Sequence, residues 1–321
     1  MRKQNTIKNV LKFLFTTGVF ICLYYSLDIN FTAIYKQIVN IKFLFIALLL
    51  PLFVLPFIST NRWKLFLKEV GVEESVFHLW KINWISLFQG IILPSTQGQD
   101  FFRIYNIEKL HPQARGKSGS TVLIERLMGL ILLCVISLIA SLIIDIPNKK
   151  EIIVIILSIT VFVIGVIWVL LSKRIYIFLS KKQSKKRWIM SVIDYVKNFH
   201  GAIVYFPYNK IMVSTVLLIL CFQISTVLSV YLLFKVYGVD LPLTTHLALY
   251  PIISILSMLP ITISGLGVRE GLFVAFYTSL GVQPDIAVSV SIMNYIILIL
   301  LPALFGGMIY MIDLLKIKRR N

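Results

Sequence analysis

The chain has 321 residues, of which 58% are hydrophobic and 14% charged, with a mean hydropathy of +0.87. That composition excludes a soluble globular domain, because several windows hold the roughly 20 consecutive apolar residues that cross a ~30 Å hydrocarbon core. The formal charge of +18 lies in short loops and near both ends, as the positive-inside bias produces, so it reads as topology and argues against nucleic acid as a partner.

Taken in order, the chain predicts six full spans at 10–27, 41–59, 119–144, 152–171, 211–235 and 286–311, separated by two regions of shorter apolar pieces at 82–117 and 246–283. The first follows Arg2, Lys3, Lys8 and Lys12 with no small-residue cleavage site after it, so it reads as an uncleaved span rather than a signal peptide. Basic residues mark the loop 60–81 (Arg62, Lys64, Lys68, Lys81), the loop 172–210 (Lys173 to Arg187) and the C-terminus, all expected at the cytoplasmic face. The N-terminus is expected there too. Counting crossings under that constraint, 82–117 must enter and leave from the cytoplasmic side, and 246–283 from the outer side. From Lys81 to Leu93 is 13 residues, about 20 Å of helix, too short to span.

The expected architecture is therefore an all-α integral membrane protein with six spans and two re-entrant helical hairpins. It forms one transmembrane domain, 1–321, with repeat A at about 8–144 and repeat B at about 152–311 in inverted topology. The two hairpins carry matching sequence, LPSTQGQDFFR at 93–103 and LPITISGLGVREG at 259–271. Paired, proline- and glycine-interrupted hydrophobic segments in two halves of a membrane protein point to a transport site. Each second arm opens with a helix N-terminus, which favours an anion. Gly265 and Gly267 would let that backbone approach a ligand closely.

Ionisable residues gather where charge is expensive: Asp100, Arg103, Glu125, Arg126, Arg269 and Glu270. Each costs roughly 2.5–3.5 kcal/mol at a helix centre, so they must be paired, hydrated or near an interface. One reading is purely structural ion pairs; the other is guanidinium forks offered to a phosphate, with the acids holding them in place. Adjacent residues on a helix point about 100° apart, so Arg126 should pair elsewhere than with Glu125. Cys22, Cys134 and Cys221 read as buried small hydrophobes. The four histidines show no ligand spacing, and no metal or cofactor is expected. Trp63, Trp80, Trp84, Tyr205 and Tyr208 read as an interfacial belt, and the basic cluster 173–187 as a topology anchor or a contact to anionic lipid.

LPSTQGQDFFRIYNIEKL, STVLIERLMGLILL and LPITISGLGVREGLFVAF resemble the lysylphosphatidylglycerol synthase transmembrane region family of flippase-like membrane proteins. The family motifs fall on Gly98, Asp100, Arg103, Glu125, Arg126, Gly129 and Pro260 through Gly271, with Gln99 and Thr262 as departures. The resemblance implies a bacterial or archaeal cytoplasmic membrane protein that moves a lipid between leaflets. The family's best-described members carry a soluble aminoacyl-transferase domain after the membrane region. This sequence ends at Asn321 without one, and the expectation is the flippase-like core alone.

Three function classes follow. The first is a flippase-like transporter whose substrate is a membrane lipid, either an anionic phospholipid or a polyprenyl-phosphate-linked molecule. The second is an enzyme or membrane subunit acting on lipid-linked substrates, though no catalytic motif or nucleophile–base pair is visible. The third is a small-solute secondary transporter. A homo-oligomer or a lipid-modifying enzyme partner is compatible with the first.

Overall fold

The computed structural model describes residues 38–91, 98–145, 147–182, 186–258 and 265–318. The expected first span at 10–27, Cys22 and the two turn segments 92–97 and 259–264 lie outside them. The described chain runs α1 (Ile41–Glu69), α2 (Val76–Gly90), α3 (Gly98–Leu110), α4 (Lys117–Ile143), α5 (Lys149–Leu170), α6 (Lys173–Lys181), α7 (Arg187–Val204), α8 (Tyr208–Val236), α9 (Leu243–Ser257), α10 (Val268–Tyr277) and α11 (Pro284–Asp313). Among the described residues every regular element is helical. Five helices, α1, α4, α5, α8 and α11, are long and apolar enough to cross a membrane. They coincide with the five expected spans that fall inside the described residues.

The four remaining apolar arms are short. α2 and α3 have 15 and 13 residues, and α9 and α10 have 15 and 10, against the roughly 20 that a span requires. The first arm of each pair packs on a long helix of the other half: α2 on α11, and α9 on α4. Small residues permit both contacts, since helices in lipid associate through close backbone approach more than through hydrophobic drive. On α11, Gly306 lies so close to the Trp84 carbonyl that a Cβ would overlap it, and Gly307 faces the Phe88 ring. Lys81 Nζ fixes the register at the end of that contact by pairing with Asp313 Oδ2 at 2.6 Å. On α4, the Ser137 hydroxyl donates to the Ala248 carbonyl.

Two of the long helices contain π turns, Leu50–Val54 and Ile296–Leu300. In each case a Leu-Pro pair follows, ending in Pro56 or Pro302. A proline ring lacks the N–H and clashes with the carbonyl four residues back; that carbonyl, of Leu52 or Leu298, lies in the widened turn. At the base of α2 and α3, Glu74 bridges two histidines. His78 Nδ1 lies 2.7 Å from Glu74 Oε2, and His111 Nε2 lies 2.8 Å from Glu74 Oε1. Burial would raise this carboxyl, but hydrogen bonds with His111 and His78 more than offset it and hold Glu74 below the usual range.

Three expectations need correcting. Trp63 is fully buried and Trp84 nearly so, because each is roofed by a neighbouring helix, so neither is an interfacial belt residue. Cys134 is buried but Cys221 is exposed, on a face of α8 that lipid would cover. Arg62, expected in a cytoplasmic loop, lies inside α1 and is 8% exposed, since that helix continues past the apolar run to Glu69.

Gly306→Leu should therefore destabilise the fold by about 1–3 kcal/mol through overpacking, seen as a lowered thermal midpoint in detergent. Leu304→Ala, at an exposed position two residues away, should leave that midpoint nearly unchanged.

Candidate functional site

Charged side chains from three helices meet in the interior. α3 places Asp100 and Arg103 three residues apart, hence on one face. α4 places Glu125 and Arg126 in two directions. α1 contributes Arg62. Glu125 is the hub: Arg62 Nε donates to its Oε1 at 2.8 Å, Arg62 Nη2 meets the same oxygen, and Arg103 Nη2 donates to Oε2 at 3.0 Å. Arg126 turns away from Glu125, as expected, and donates Nε to Asp100 Oδ2 at 2.7 Å. Arg103 Nη1 approaches Asp100 Oδ1 at 3.4 Å, closing the network. The flat faces are used as well: Arg103 lies 4.4 Å over the Trp63 ring and Arg62 4.9 Å over that of Phe222. Arg103 Nε has no hydrogen-bond partner among the described residues.

The close crossing of α2 and α3 sets the depth of this group. Gly90 and Gly98 meet backbone to backbone, where a Cβ on either would overlap the other. That contact seats the first turn of α3, with Asp100 on it, against the bundle.

The second half holds a smaller group. Gly267, with φ of +83°, caps α10 and donates its N–H to Glu270 Oε2 at 2.5 Å. Glu270 Oε1 accepts from Arg269 Nη2 at 2.6 Å and from the Ser291 hydroxyl at 3.1 Å, while Arg269 Nε donates to Ser291 Oγ at 3.0 Å. Arg269 also lies 4.8 Å over the Tyr295 ring. So here adjacent residues do pair, because Glu270 folds back over the helix start and α11 supplies the bridging hydroxyl. Gly265, with φ of +73°, returns the chain so close to the Ser257 carbonyl that a Cβ would sit 2.8 Å from it.

Beside the first group lies a cavity of about 110 Å³. Arg62, Glu125, Arg126 and Gly129 line one side; Gln223 on α8 and Tyr250 on α9 line another. Asn294 Nδ2 donates to Tyr250 Oη at 3.3 Å, and Asn294 stands one turn from Ser291 on α11. From the cavity wall, Tyr250 and Asn294 thus lead on to Ser291, which bonds Arg269 and Glu270. Arg269 is engaged through two nitrogens and its flat face. Arg126 is the more open of the two: its side chain is 39% exposed, and among the described residues its hydrogen bond uses Nε alone.

The eight expected site residues, Asp100, Arg103, Glu125, Arg126, Gly265, Gly267, Arg269 and Glu270, thus fall into two groups, and of the eight Glu125 and Arg126 line the cavity. Reading the sequence missed Arg62, Gln223, Tyr250, Ser291 and Asn294. Gln223, Ser291 and Asn294 carried a visible signal, as polar residues inside long apolar runs. Arg62 did not, because it follows the apolar run. Among the described residues no group of His, Cys, Asp and Glu is arranged to hold a metal ion.

The first group has three arginines and two carboxylates, so it carries one uncompensated positive charge. Glu125→Gln should cost about 3–5 kcal/mol, because two buried guanidiniums lose their shared partner. Arg62→Gln should cost less, since it leaves two arginines against two acids. Thermal unfolding in detergent checks the order, and adding Arg62→Gln to Glu125→Gln should recover part of the loss.

Similarity to known proteins gives the family. A UPF0104 membrane protein of Methanocaldococcus jannaschii is 24% identical over 320 residues, covering 94% of this chain and 93% of the relative. Two UPF0104 membrane proteins of Methanothermobacter thermautotrophicus are 25% identical over 272 residues, covering 77% of each chain, and 20% identical over 268 residues, covering 76% and 78%. No solved structure matches the chain. The family model described as lysylphosphatidylglycerol synthase TM region matches residues 9–306, and the chain therefore belongs to that family as a multi-pass membrane protein.

Proposed function

We propose that this protein is a flippase-like transporter, rather than an enzyme, that carries an anionic lipid or lipid-linked headgroup between the leaflets of the cytoplasmic membrane. The observation that carries this reading is the uncompensated positive charge beside the cavity, with the Arg126 fork turned toward it. A single phosphate would restore neutrality there, and a guanidinium matches it with two parallel donors. The acids hold the arginines in place while the cavity is empty. Lipid substrates fit the family's name, and an ion-paired site that opens for substrate is a structural ion pair at rest.

In this proposal α2–α3 and α9–α10 are re-entrant hairpins entering from opposite faces, within an inverted-topology repeat whose termini both face the cytoplasm. Their short arms and the reciprocal packing of α2 on α11 and α9 on α4 support it. Alternating access would come from rocking one half against the other around the cavity, as in transporters built on such repeats.

The transport test uses purified protein in vesicles with labelled phosphatidylglycerol, polyprenyl phosphate and phosphatidylcholine, following transfer between leaflets. Transfer should favour the anionic lipids. Arg126→Gln should slow it by about 10-fold or more, as expected when a charge-assisted pair worth about 1.5–3 kcal/mol is lost, while Arg126→Lys should retain part of it. Wild-type transfer by folded Arg126→Gln protein would overturn the assignment of this site.

Topology can be tested separately. Cysteines at Gln99 and at Leu266, in protein otherwise free of cysteine, should react with impermeant thiol reagents from opposite sides of the membrane. Labelling of both from one side would remove the inverted repeat.

A further inference from the structure

Away from the central cavity, α6 and α7 form a structural unit that the transport reading does not use. Between Lys173 and Val204 the sequence has eight basic residues and one acid, Asp194. α7 carries an apolar stripe at helical spacing, Trp188, Val192, Val196, Phe199 and Ile203. Its C-terminal half is covered: Ile203 is 2% exposed, and Gly119 leaves room for the Phe199 ring at 3.2 Å. Its N-terminal half is bare, with Trp188 69% and Val192 55% exposed. α6 adds Ile177 and Phe178, also exposed. The unit is firmly attached at its inner side. Tyr195 Oη approaches Glu108 Oε1 at 3.4 Å, Asn198 Nδ2 donates to the Arg115 carbonyl at 3.4 Å, and Tyr176 of α6 stacks edge-on with Tyr205 at 5.3 Å.

One stripe that is half buried in protein and half bare must be covered by something at the same depth. A helix with aromatic and aliphatic residues on one side and lysine and arginine around them lies in the plane of a bilayer interface. Two cavities flank α7 on its polar side. One, of about 310 Å³, is lined by Arg115, Arg187, Ser191 and Asn198, with Asp194 at its wall. The other, of about 380 Å³, has Lys117, Lys197 and Glu69 in its lining and shares Asn198, with Glu69 paired to Lys210. Each offers two cations at the level where headgroups would stand.

We propose that α6 and α7 form an in-plane foot that seats on anionic phospholipids of the adjoining leaflet, with Trp188 and Val192 in the acyl region and headgroup phosphates between Arg115 and Arg187 and between Lys117 and Lys197. The occupant is identified by charge complementarity and by continuity of the stripe with the membrane-facing surface of the bundle. An acidic protein partner would meet the basic residues but would not need the bare stripe at bilayer depth. This inference does not rest on lipid transport.

The test reconstitutes the full-length protein in vesicles of phosphatidylcholine and phosphatidylglycerol, with bromine on the acyl chains of one lipid or the other. The contribution of Trp188 is isolated as the difference between wild type and Trp188→Phe. At equal mole fraction, brominated phosphatidylglycerol should quench Trp188 about two-fold or more better than brominated phosphatidylcholine, because basic residues recruit anionic lipid. The preference should vanish in the variant with Arg115, Lys117, Arg187 and Lys197 all changed to Gln. It should also weaken in wild type as salt is raised, a measurement that stands even if the variant does not fold. Equal quenching by the two lipids would overturn the charge recognition. Quenching of Trp188 by aqueous iodide and by neither lipid would overturn the membrane seat and assign the stripe to a protein partner.

Discussion

The two oxygens of Glu125 hold the first half of this molecule together. In a medium of low dielectric an isolated charge is costly, and a charge that loses its partner costs about 3–5 kcal/mol. Glu125 accepts from Arg62 through one oxygen and from Arg103 through the other, so it fixes α1, α3 and α4 relative to one another. Asp100 extends the same network to Arg126. Ion pairing therefore joins these helices alongside the apolar contacts of Trp63, Phe66 and Leu67 with Ile107 and Ile124.

A network built this way has a consequence for function. Two acids among three arginines satisfy the geometry of the helices without balancing the charge. The surplus lies next to a cavity bounded by both halves of the chain, and Arg126 faces it. In the second group, Arg269 is held through Nε and Nη2 by Ser291 and Glu270 and lies over the Tyr295 ring. The two hairpin regions thus differ at rest: one is closed on itself, the other has donors to offer. Under the proposed function, a substrate phosphate would be met first at Arg126.

Backbone proximity does the remaining work. Gly90 with Gly98, and Gly306 with Trp84, allow helices to approach at distances no side chain would permit. These contacts hold the short arms, which lack the length to anchor themselves across a bilayer. On the basic side of the molecule the same device recurs where Gly119 admits the Phe199 ring, attaching α7 to α4 and leaving the outer half of its stripe uncovered.

The sequence by itself determined the membrane class, the five long helices within the described residues, the short arms between them and the charged residues of the two groups other than Arg62. Hydropathy and charge report the cost of moving each residue into lipid, and that cost depends on local composition alone. The 100° step between helix neighbours also gave the expectation that Arg126 would pair elsewhere than with Glu125, which the structure shows. Only the tertiary structure decided the partners. Arg62 and Glu125 are 63 residues apart, and their meeting depends on the register of α1 against α4, which no local pattern encodes. Trp63 and Trp84 are aromatic residues beside polar ones, as belt residues are, and became interior because α3 and α11 cover them. Arg269 and Glu270 pair against the neighbour rule because a helix start lets Glu270 turn back and a serine from α11 completes the triangle. Which arginine is left open to the cavity is likewise a matter of which carboxylates reach it, a choice made by helices distant in the chain.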